Sequence, residues 1–357
     1  MKLVFKVFIR VFFSLLIIVT VLGAGTLILF QTENRAVESL SHITDTEDIL
    51  RVDEGLLLRI RRGESLISLS ERLSSAGLTR SPLLWRLFPY LYGGSIKVGE
   101  YLIEEPMKAS ELYALFTSGK VLLHRITIPE GLTSGKIAQR LEEAGFCSAE
   151  DFLAAVQSPG LLARFGIPAK TLEGYLYPET WHFPADYPAE RIAEDMVSLF
   201  FKTLDEVYPA HKQEDNSERH RKIILASIVE REAYLKEEAS LIAGVFFNRI
   251  NISMPLQSCA TVEYIITEIQ GKPHPHRLYD TDIAIEHPFN TYIYPGLPPG
   301  PIANPGRTAL EAVYKPQNSN YLYFRLIDAN RGEHAFSKTF DEHLEYGLLF
   351  NRRTGRN

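Results

Sequence analysis

The sequence predicts an α+β protein with one N-terminal membrane-spanning helix, a small α+β module and a larger mixed α+β domain. Three observations predict this organisation: an uncharged apolar run near the N-terminus, a strand-and-helix pattern that occurs twice, and an apolar helix around Glu230. A chain of 357 residues is long enough for two or three domains. We divide it into a tail (1–10), a membrane helix (11–30), a linker (31–48), the module (49–121) and the larger domain (122–357).

The apolar run from Val11 to Phe30 contains no charged residue across twenty positions. At about 1.5 Å per residue, a helix of this length spans roughly 30 Å, the thickness of a bilayer core. Lys2, Lys6 and Arg10 precede the run, which predicts a cytoplasmic N-terminus with the rest of the chain outside. The alternative is a cleaved signal peptide, whose apolar region is shorter. We favour a single-pass anchor in the inner (cytoplasmic) membrane, with the large domain in the periplasm.

A strand-and-helix pattern occurs twice, at a constant offset of 68 residues. Each copy has a short apolar strand, a glycine (Gly63 or Gly131), hydroxyl residues where a helix begins, and a closing Ala-Gly pair. Ser65 in the first copy and Thr133 or Ser134 in the second are the predicted N-caps. Chance similarity between two amphipathic helices is the alternative. The matches at one fixed offset favour a repeated unit.

Apolar periodicity and turn residues predict the other elements in chain order. In the module these are a strand at Leu56–Ile60, a helix at Pro82–Tyr92, a strand at Gly99–Ile103 and a helix at Ser110–Ser118. In the larger domain they are a strand at Arg125–Ile128, a helix capped by Ser148, and helices at Arg191–Tyr208, Lys222–Tyr234 and Leu241–Asn251. The polar segment His211–Arg221 predicts a hinge before the helix that contains Glu230.

Composition excludes several function classes. The formal net charge of −6 argues against a nucleic-acid partner, because such domains usually carry a basic stripe. Cys147 and Cys259 match no zinc spacing, and two separate buried thiols are favoured over a disulfide. The histidines show no metal-ligand spacing, and no phosphate-binding loop, Ser/His/Asp signature or CxxC pair is present. We therefore predict no metal and no cofactor.

The helix around Glu230 carries the predicted chemistry. Ile224, Leu225, Ile228 and Val229 make this helix apolar almost all round, which indicates that it is buried. Burial disfavours the charged form of a carboxyl and raises its pKa. A carboxyl with a raised pKa is what general acid catalysis at neutral pH requires. The alternative is a structural glutamate that is paired with an arginine or faces solvent.

Glu232 is the nearest second carboxylate, but helix geometry separates it from Glu230. Two residues apart on a helix, the side chains point roughly 200° away from each other. They cannot flank one sugar bond as the opposed pair of a hydrolytic glycosidase. If Glu230 acts alone, the nucleophile must come from the substrate, and Glu232 is then a supporting residue.

Three further segments supply candidate substrate contacts, through side chains that hydrogen-bond sugars or stack on them. They are Glu173, Tyr175 and Tyr177 from segment 172–183, Gln257, Ser258 and Thr261 from segment 254–264, and Asn290 and Tyr292 from the Pro- and Gly-rich loop 287–306. The loop is expected to be stiff, because proline fixes φ and glycine permits tight turns. The alternatives are core packing for the aromatic residues, helix capping for Ser258, and a surface loop without function.

These segments, in this order, resemble the YceG-like endolytic murein transglycosylase family. The matching stretches are EGYLYPET, ILASIVERE, VFFNRI, MPLQS, FNTYIYPGLPPGPIANPG and YLYF…GEHAFSKTFDEH. The anchor and the first module look like the family's anchor and its LysM-like subdomain. One departure is Cys259-Ala260, where many relatives carry Asp-Pro after MPLQS, which leaves no carboxylate at that point.

The resemblance implies a reaction as well as a fold. It implies that Glu230 protonates the MurNAc–GlcNAc bond within peptidoglycan glycan strands and then acts as a base for the sugar's own 6-hydroxyl. It also implies a 1,6-anhydro end, cleavage that terminates nascent strands, no metal, and peptidoglycan synthases as partners near the membrane. Two alternatives remain: a catalytically silent glycan-binding scaffold, and a hydrolytic muramidase whose second carboxylate is Glu173 or Glu179.

Overall fold

The computed structural model describes residues 2–36, 39–328 and 330–354. Side chains are described from residue 12 to residue 348, except at positions 22, 26, 29, 30, 33, 37, 38, 42 and 329. The predicted membrane span at 11–30 therefore includes side chains outside the described set. Within that set, no helix is both long and apolar enough to cross a membrane.

The chain forms two compact units. The first contains Met1–His124 and Pro184–Asp186, and the second contains Arg125–Phe183 and Tyr187–Asn357. Nothing in the sequence pattern predicted that the short segment Pro184–Asp186 would join the first unit.

The first unit contains a three-stranded antiparallel sheet with helices beside it. Its elements are α1 (Lys2–Glu33), β1 (Ile49–Val52), β2 (Gly55–Ile60), α2 (Leu66–Ala76), α3 (Pro82–Trp85), α4 (Phe88–Tyr92), β3 (Gly99–Ile103) and α5 (Ala109–Ser118), with a 3₁₀ turn at Leu40–His42. The strand order is β1-β2-β3, with Leu58 opposite Ile49 and Tyr101. Alternate residues of β2 are buried, as the period of a half-buried strand requires.

The predicted helix Pro82–Tyr92 is wrong as a single element, because it forms two short helices. Pro89 lies in the first turn of α4. Proline has no N–H to donate, and its ring clashes with the carbonyl four residues earlier, so the helix cannot continue through it from α3. The break lets Trp85 and Phe88 both enter the core, where the Trp85 ring lies 5.7 Å from that of Tyr113.

The second unit is mostly helical and contains the segment around Glu230. Its elements are β4 (Leu123–Thr127), α6 (Ser134–Glu143), α7 (Ala149–Val156), α8 (Pro159–Phe165), β5 (Thr180–Pro184), α9 (Ala189–Val207), α10 (Asn216–Glu232), α11 (Lys236–Asn251), α12 (Cys259–Tyr264), α13 (Asp280–Ile283), α14 (Arg307–Tyr314), β6 (Tyr323–Asp328), β7 (Glu333–Ser337) and α15 (Phe340–Thr354). A 3₁₀ turn spans Pro209–Gln213 and a π-helical turn spans Ile265–Ile269. β4 pairs with β5, β6 forms an antiparallel hairpin with β7, and α10 contacts α11, α12 and α14.

The predicted hinge His211–Arg221 is also wrong, because α10 begins at Asn216. The Asp215 carboxylate caps this helix by accepting the N–H of Ser217 at 2.9 Å. His220 is buried, and its Nδ1 lies 2.8 Å from the Tyr175 hydroxyl. The segment is polar in sequence, but its second half forms the start of α10, where the buried His220 has Tyr175 as a hydrogen-bond partner.

The structure confirms the repeated strand-and-helix unit in detail. The Ser65 side chain caps α2, and the Thr133 side chain caps α6. At the far ends, the Leu78 N–H donates to Leu73 O at 2.8 Å, and the Phe146 N–H donates to Leu141 O at 3.0 Å. These two bonds are equivalent at the 68-residue offset of the sequence repeat.

Replacing Gly145 with alanine is expected to destabilise the second unit by about 1 kcal/mol. Gly145 has φ +75°, and an added Cβ would meet nothing within 4 Å, so the cost is backbone strain alone. Gly160→Ala in α8 is the matched control, because φ there is not left-handed. Thermal unfolding monitored by fluorescence measures both. An equal loss in the two variants would contradict the assignment of the cost to backbone strain.

Candidate active site

Glu230 lies in the last turn of α10, directly after a fully buried stretch of that helix. Its Oε2 accepts the N–H of Gly306 at 2.9 Å, across 76 residues of chain. Burial raises the pKa of the Glu230 carboxyl to about 7, and the bond from Gly306 opposes this rise. The carboxyl is therefore able to carry a proton near neutral pH, as the apolar sequence around it predicts.

A cavity of about 100 Å³ opens at the Glu230 carboxyl. Its lining includes Glu130, Tyr234, Lys236 and Thr308. Gly306 lies beside both carboxyls, since its N–H binds Glu230 and a Cβ added to it would clash with Glu130 Oε1. The backbone of this glycine is therefore close to both glutamates, and only a residue without a side chain fits.

Glu232 is in a different environment, as its position on the helix predicts. It accepts a hydrogen bond from the Ser258 hydroxyl and another from the backbone of Ala260. Burial raises the pKa of this carboxyl, and the two bonds oppose the rise. Glu232 therefore joins the end of α10 to the start of α12 instead of facing the cavity around Glu230.

The other predicted contacts in segment 254–264 and in the loop 287–306 form one polar network. The Ser258 N–H donates to Thr291 Oγ1 at 3.0 Å, and Thr261 Oγ1 lies 3.0 Å from the same oxygen. The Asn290 amide donates to Ile283 O and Ile285 O, and its side chain is fully buried. These residues hold the loop in place, which agrees with the expectation that it is stiff.

Among the predicted contacts of these two segments, Gln257 is exposed and Tyr292 is half-buried. Gln257 is exposed and has φ +53°, a left-handed conformation that its backbone bond to Thr291 O stabilises. The Tyr292 hydroxyl lies 3.1 Å from Cys259 Sγ. Both residues remain predicted substrate contacts.

Cys147 and Cys259 are free thiols, as predicted, but neither is a buried residue, so that part of the prediction is wrong. Burial raises the pKa of both thiols, so neither is activated as a thiolate. Cys147 is half-buried, whereas Cys259 is exposed as a residue although its sulfur lies against Tyr292. Among the described residues, no group of three or more His, Cys, Asp or Glu side chains is arranged to hold a metal ion.

The structure places Glu173 and Tyr175 in the core and not at a cleft. The Glu173 carboxylate accepts the backbone N–H of Ser134 at 2.9 Å and the Ser134 hydroxyl at 2.6 Å. Its buried carboxyl has a pKa raised to about 7, chiefly by burial. Tyr175 is fully buried and Tyr177 nearly so, which fits the core-packing alternative for these aromatic residues. Glu179 is exposed.

Three important residues were absent from the sequence predictions. Glu130 lines the cavity, Gly306 lies against Glu130 and binds Glu230, and Asn304 connects the loop to two other segments. One signal for Glu130 was present in the repeat. It occupies the position before Gly131, where the first copy has Arg62 before Gly63, so the two copies differ in charge there.

Comparison with known proteins identifies the family of this chain. The profile of the YceG-like family matches residues 58–347. The chain belongs to the YceG-like family. The YceG-like match covers both units and includes Glu130, Glu230 and Gly306.

Two curated relatives and one solved structure extend the comparison. The chain is 30% identical over 305 residues to the endolytic murein transglycosylase of Bacillus subtilis, covering 80% of this chain and 82% of that protein. It is 29% identical over 315 residues to the protein of that name from Streptococcus pneumoniae, covering 80% of this chain. It spans only 56% of the length of that pneumococcal relative. A crystal structure of a YceG-like protein from Listeria monocytogenes has a TM-score of 0.55 at 29% identity, covering 81% of this chain and 98% of that one.

Proposed function

We propose that the protein is an endolytic transglycosylase that cleaves the MurNAc–GlcNAc bond of peptidoglycan strands. The observation that carries the proposal is the position of Glu230, a carboxyl with a pKa of about 7 at the wall of a cavity. The names of the relatives supply the substrate class, since both are called endolytic murein transglycosylases. Such an enzyme would shorten or terminate glycan strands.

The reaction uses one carboxyl twice. Protonated Glu230 donates its proton to the glycosidic oxygen, the bond from that oxygen to C1 of MurNAc breaks, and positive charge develops on the sugar. The 6-hydroxyl of the same sugar then forms a bond to C1 and returns its proton to Glu230. The products are a 1,6-anhydro end and a free 4-hydroxyl, and no water is consumed.

Analysis of the new sugar ends tests the proposal. The full-length protein is incubated with purified peptidoglycan in water enriched in oxygen-18, and the ends are identified by mass spectrometry. We expect anhydro ends without heavy oxygen, and none from Glu230→Gln. Reducing ends that contain heavy oxygen would instead identify a hydrolase. Binding without cleavage by the wild type would indicate a scaffold.

The pH dependence of cleavage follows from the pKa of Glu230. Since the first step needs the protonated carboxyl, the rate should fall about tenfold per pH unit above a midpoint near 7. Initial rates of anhydro-end release between pH 5 and 9 measure this limb. A rate that stays constant from pH 6 to 9 would contradict the assignment of Glu230 as the acid.

We also propose that the N-terminal segment anchors the protein in the inner (cytoplasmic) membrane, with the second unit on the periplasmic side. The uncharged run 11–30 and the basic tail before it support this, as do the exposed side chains of Phe12, Leu15 and Ile18. Residues 49–121 would be a LysM-like module. Peptidoglycan synthases at the membrane are the proposed partners. If alkaline carbonate releases the full-length protein from membranes, the anchor does not exist.

A further inference from the structure

The side chain of Glu130 has an unusual position for a surface glutamate. It is exposed and lines the cavity at Glu230, and it forms no hydrogen bond or ion pair within the described part of the chain. The residue lies between β4 and α6, and the chain then turns at Gly131, which has φ +76°. An added Cβ on Gly131 would lie 3.6 Å from Glu230 Cγ, so this turn lies next to the Glu230 side chain.

Both carboxylates converge on Gly306. The N–H of Gly306 binds one oxygen of Glu230, and the space that its side chain would occupy is filled by the carboxylate of Glu130. The two acids therefore lie beside the same glycine. A nucleophile and acid pair flanks the scissile bond from opposite faces, whereas these two acids share one backbone group, which favours an electrostatic role for Glu130.

We propose that Glu130 is a second carboxylate of the cleavage site, whose negative charge stabilises the positive sugar ring and the protonated form of Glu230. This inference rests on the function proposed above and assigns an electrostatic role to a residue that forms no covalent bond to the substrate. A fixed charge directed at developing charge in a partly enclosed site is an effective source of catalysis.

The charged groups around Glu230 influence the balance between its neutral and charged forms. Glu130 from the loop before α6 favours its neutral form, whereas Arg231 of the same helix and Lys236 of α11 favour its charged form. Removing the charge of Glu130 removes one influence that favours the neutral form, while Arg231 and Lys236 remain, so the pH at which Glu230 loses its proton should fall. A merely structural role for Glu130 would not move this midpoint.

The test compares Glu130→Gln with Glu143→Gln, which removes the same charge from an exposed position at the end of α6. In full-length protein, we expect Glu130→Gln to release anhydro ends about tenfold more slowly and to shift the alkaline limb down by about 0.5–1 pH unit. Glu143→Gln should match the wild type. Glu130→Asp, which retains the charge, should recover part of the rate and most of the pH midpoint.

Each other outcome overturns a specific statement. If Glu130→Gln keeps the rate and the pH midpoint of the wild type while Glu230→Gln is inactive, the role of Glu130 fails and the proposed function stands. If Glu130→Gln is slow but its pH midpoint does not move and Asp gives no recovery, the effect is structural. If the wild type makes reducing ends, and does so only with both glutamates present, Glu130 is a nucleophile and both proposals fail. Thermal unfolding checks that each variant is folded.

Discussion

Replacing Glu230 with glutamine is expected to reduce strand cleavage by about 10³–10⁴-fold. Glutamine keeps the size of the side chain, but its amide cannot donate a proton to the glycosidic oxygen or accept one from the 6-hydroxyl. The rate of anhydro-end release from peptidoglycan by full-length protein measures the loss. A decrease of less than tenfold would mean that another group supplies the proton.

The stability of the same variant provides an independent check. Because folding raises the pKa of Glu230 from 4.5 to about 7, the protonated carboxyl favours the folded state fully below pH 4.5. This contribution is lost as the pH rises through 7. At pH 8 the buried charge destabilises the wild type, so Glu230→Gln should be more stable there, by about 1–2 kcal/mol after allowance for partial exposure. A lower unfolding temperature in the variant at pH 8 would contradict this, and would also leave its inactivity open to misfolding.

Replacing Asn304 with alanine is expected to destabilise the second unit by about 3–5 kcal/mol. Its buried amide makes four hydrogen bonds, accepting from Gly174 N at 2.8 Å and Leu176 N at 2.9 Å, and donating to Leu132 O at 3.0 Å and Glu173 Oε1 at 2.7 Å. Alanine leaves the N–H groups of Gly174 and Leu176 buried without these partners. Leu132 O keeps the backbone N–H of Asn304, and Glu173 Oε1 keeps the N–H of Ser134.

Urea unfolding followed by tryptophan fluorescence, with Trp85 replaced by phenylalanine in both variants and in the reference protein so that Trp181 reports on the second unit, measures the change. Asn318→Ala is the matched control, since Asn318 is exposed, and it should cost less than about 0.5 kcal/mol. A loss below about 1 kcal/mol in Asn304→Ala would show that water or a shifted side chain replaces the network. Since Asn304 is two residues from Gly306, cleavage should decline along with stability.

Local patterns predicted the elements well where one helix or strand carries its own signal. The strand Gly99–Ile103 has the predicted bounds, and the caps of α2 and α6 are the predicted hydroxyl residues. One error arose from Pro89, which divides the predicted helix Pro82–Tyr92, and another arose in a polar segment whose side chains have partners in the fold. The segment His211–Arg221 is polar, but Asp215 starts a helix in it, and His220 is satisfied by Tyr175.

The candidate site likewise has features that the sequence predicted and features that only the folded chain shows. The sequence by itself determined that Glu230 is the candidate acid, because the apolar residues around it on one helix predict burial, and burial raises the pKa of a carboxyl. It also separated Glu232 from Glu230, since helix geometry alone decides their directions.

Only the tertiary structure decided which groups surround Glu230. Glu130 and Gly306 come from segments far from Glu230 in the chain, and no periodic pattern predicts which loops meet in the folded protein. Burial follows from local periodicity, whereas the charge and shape of a site depend on contacts that exist only in the folded chain.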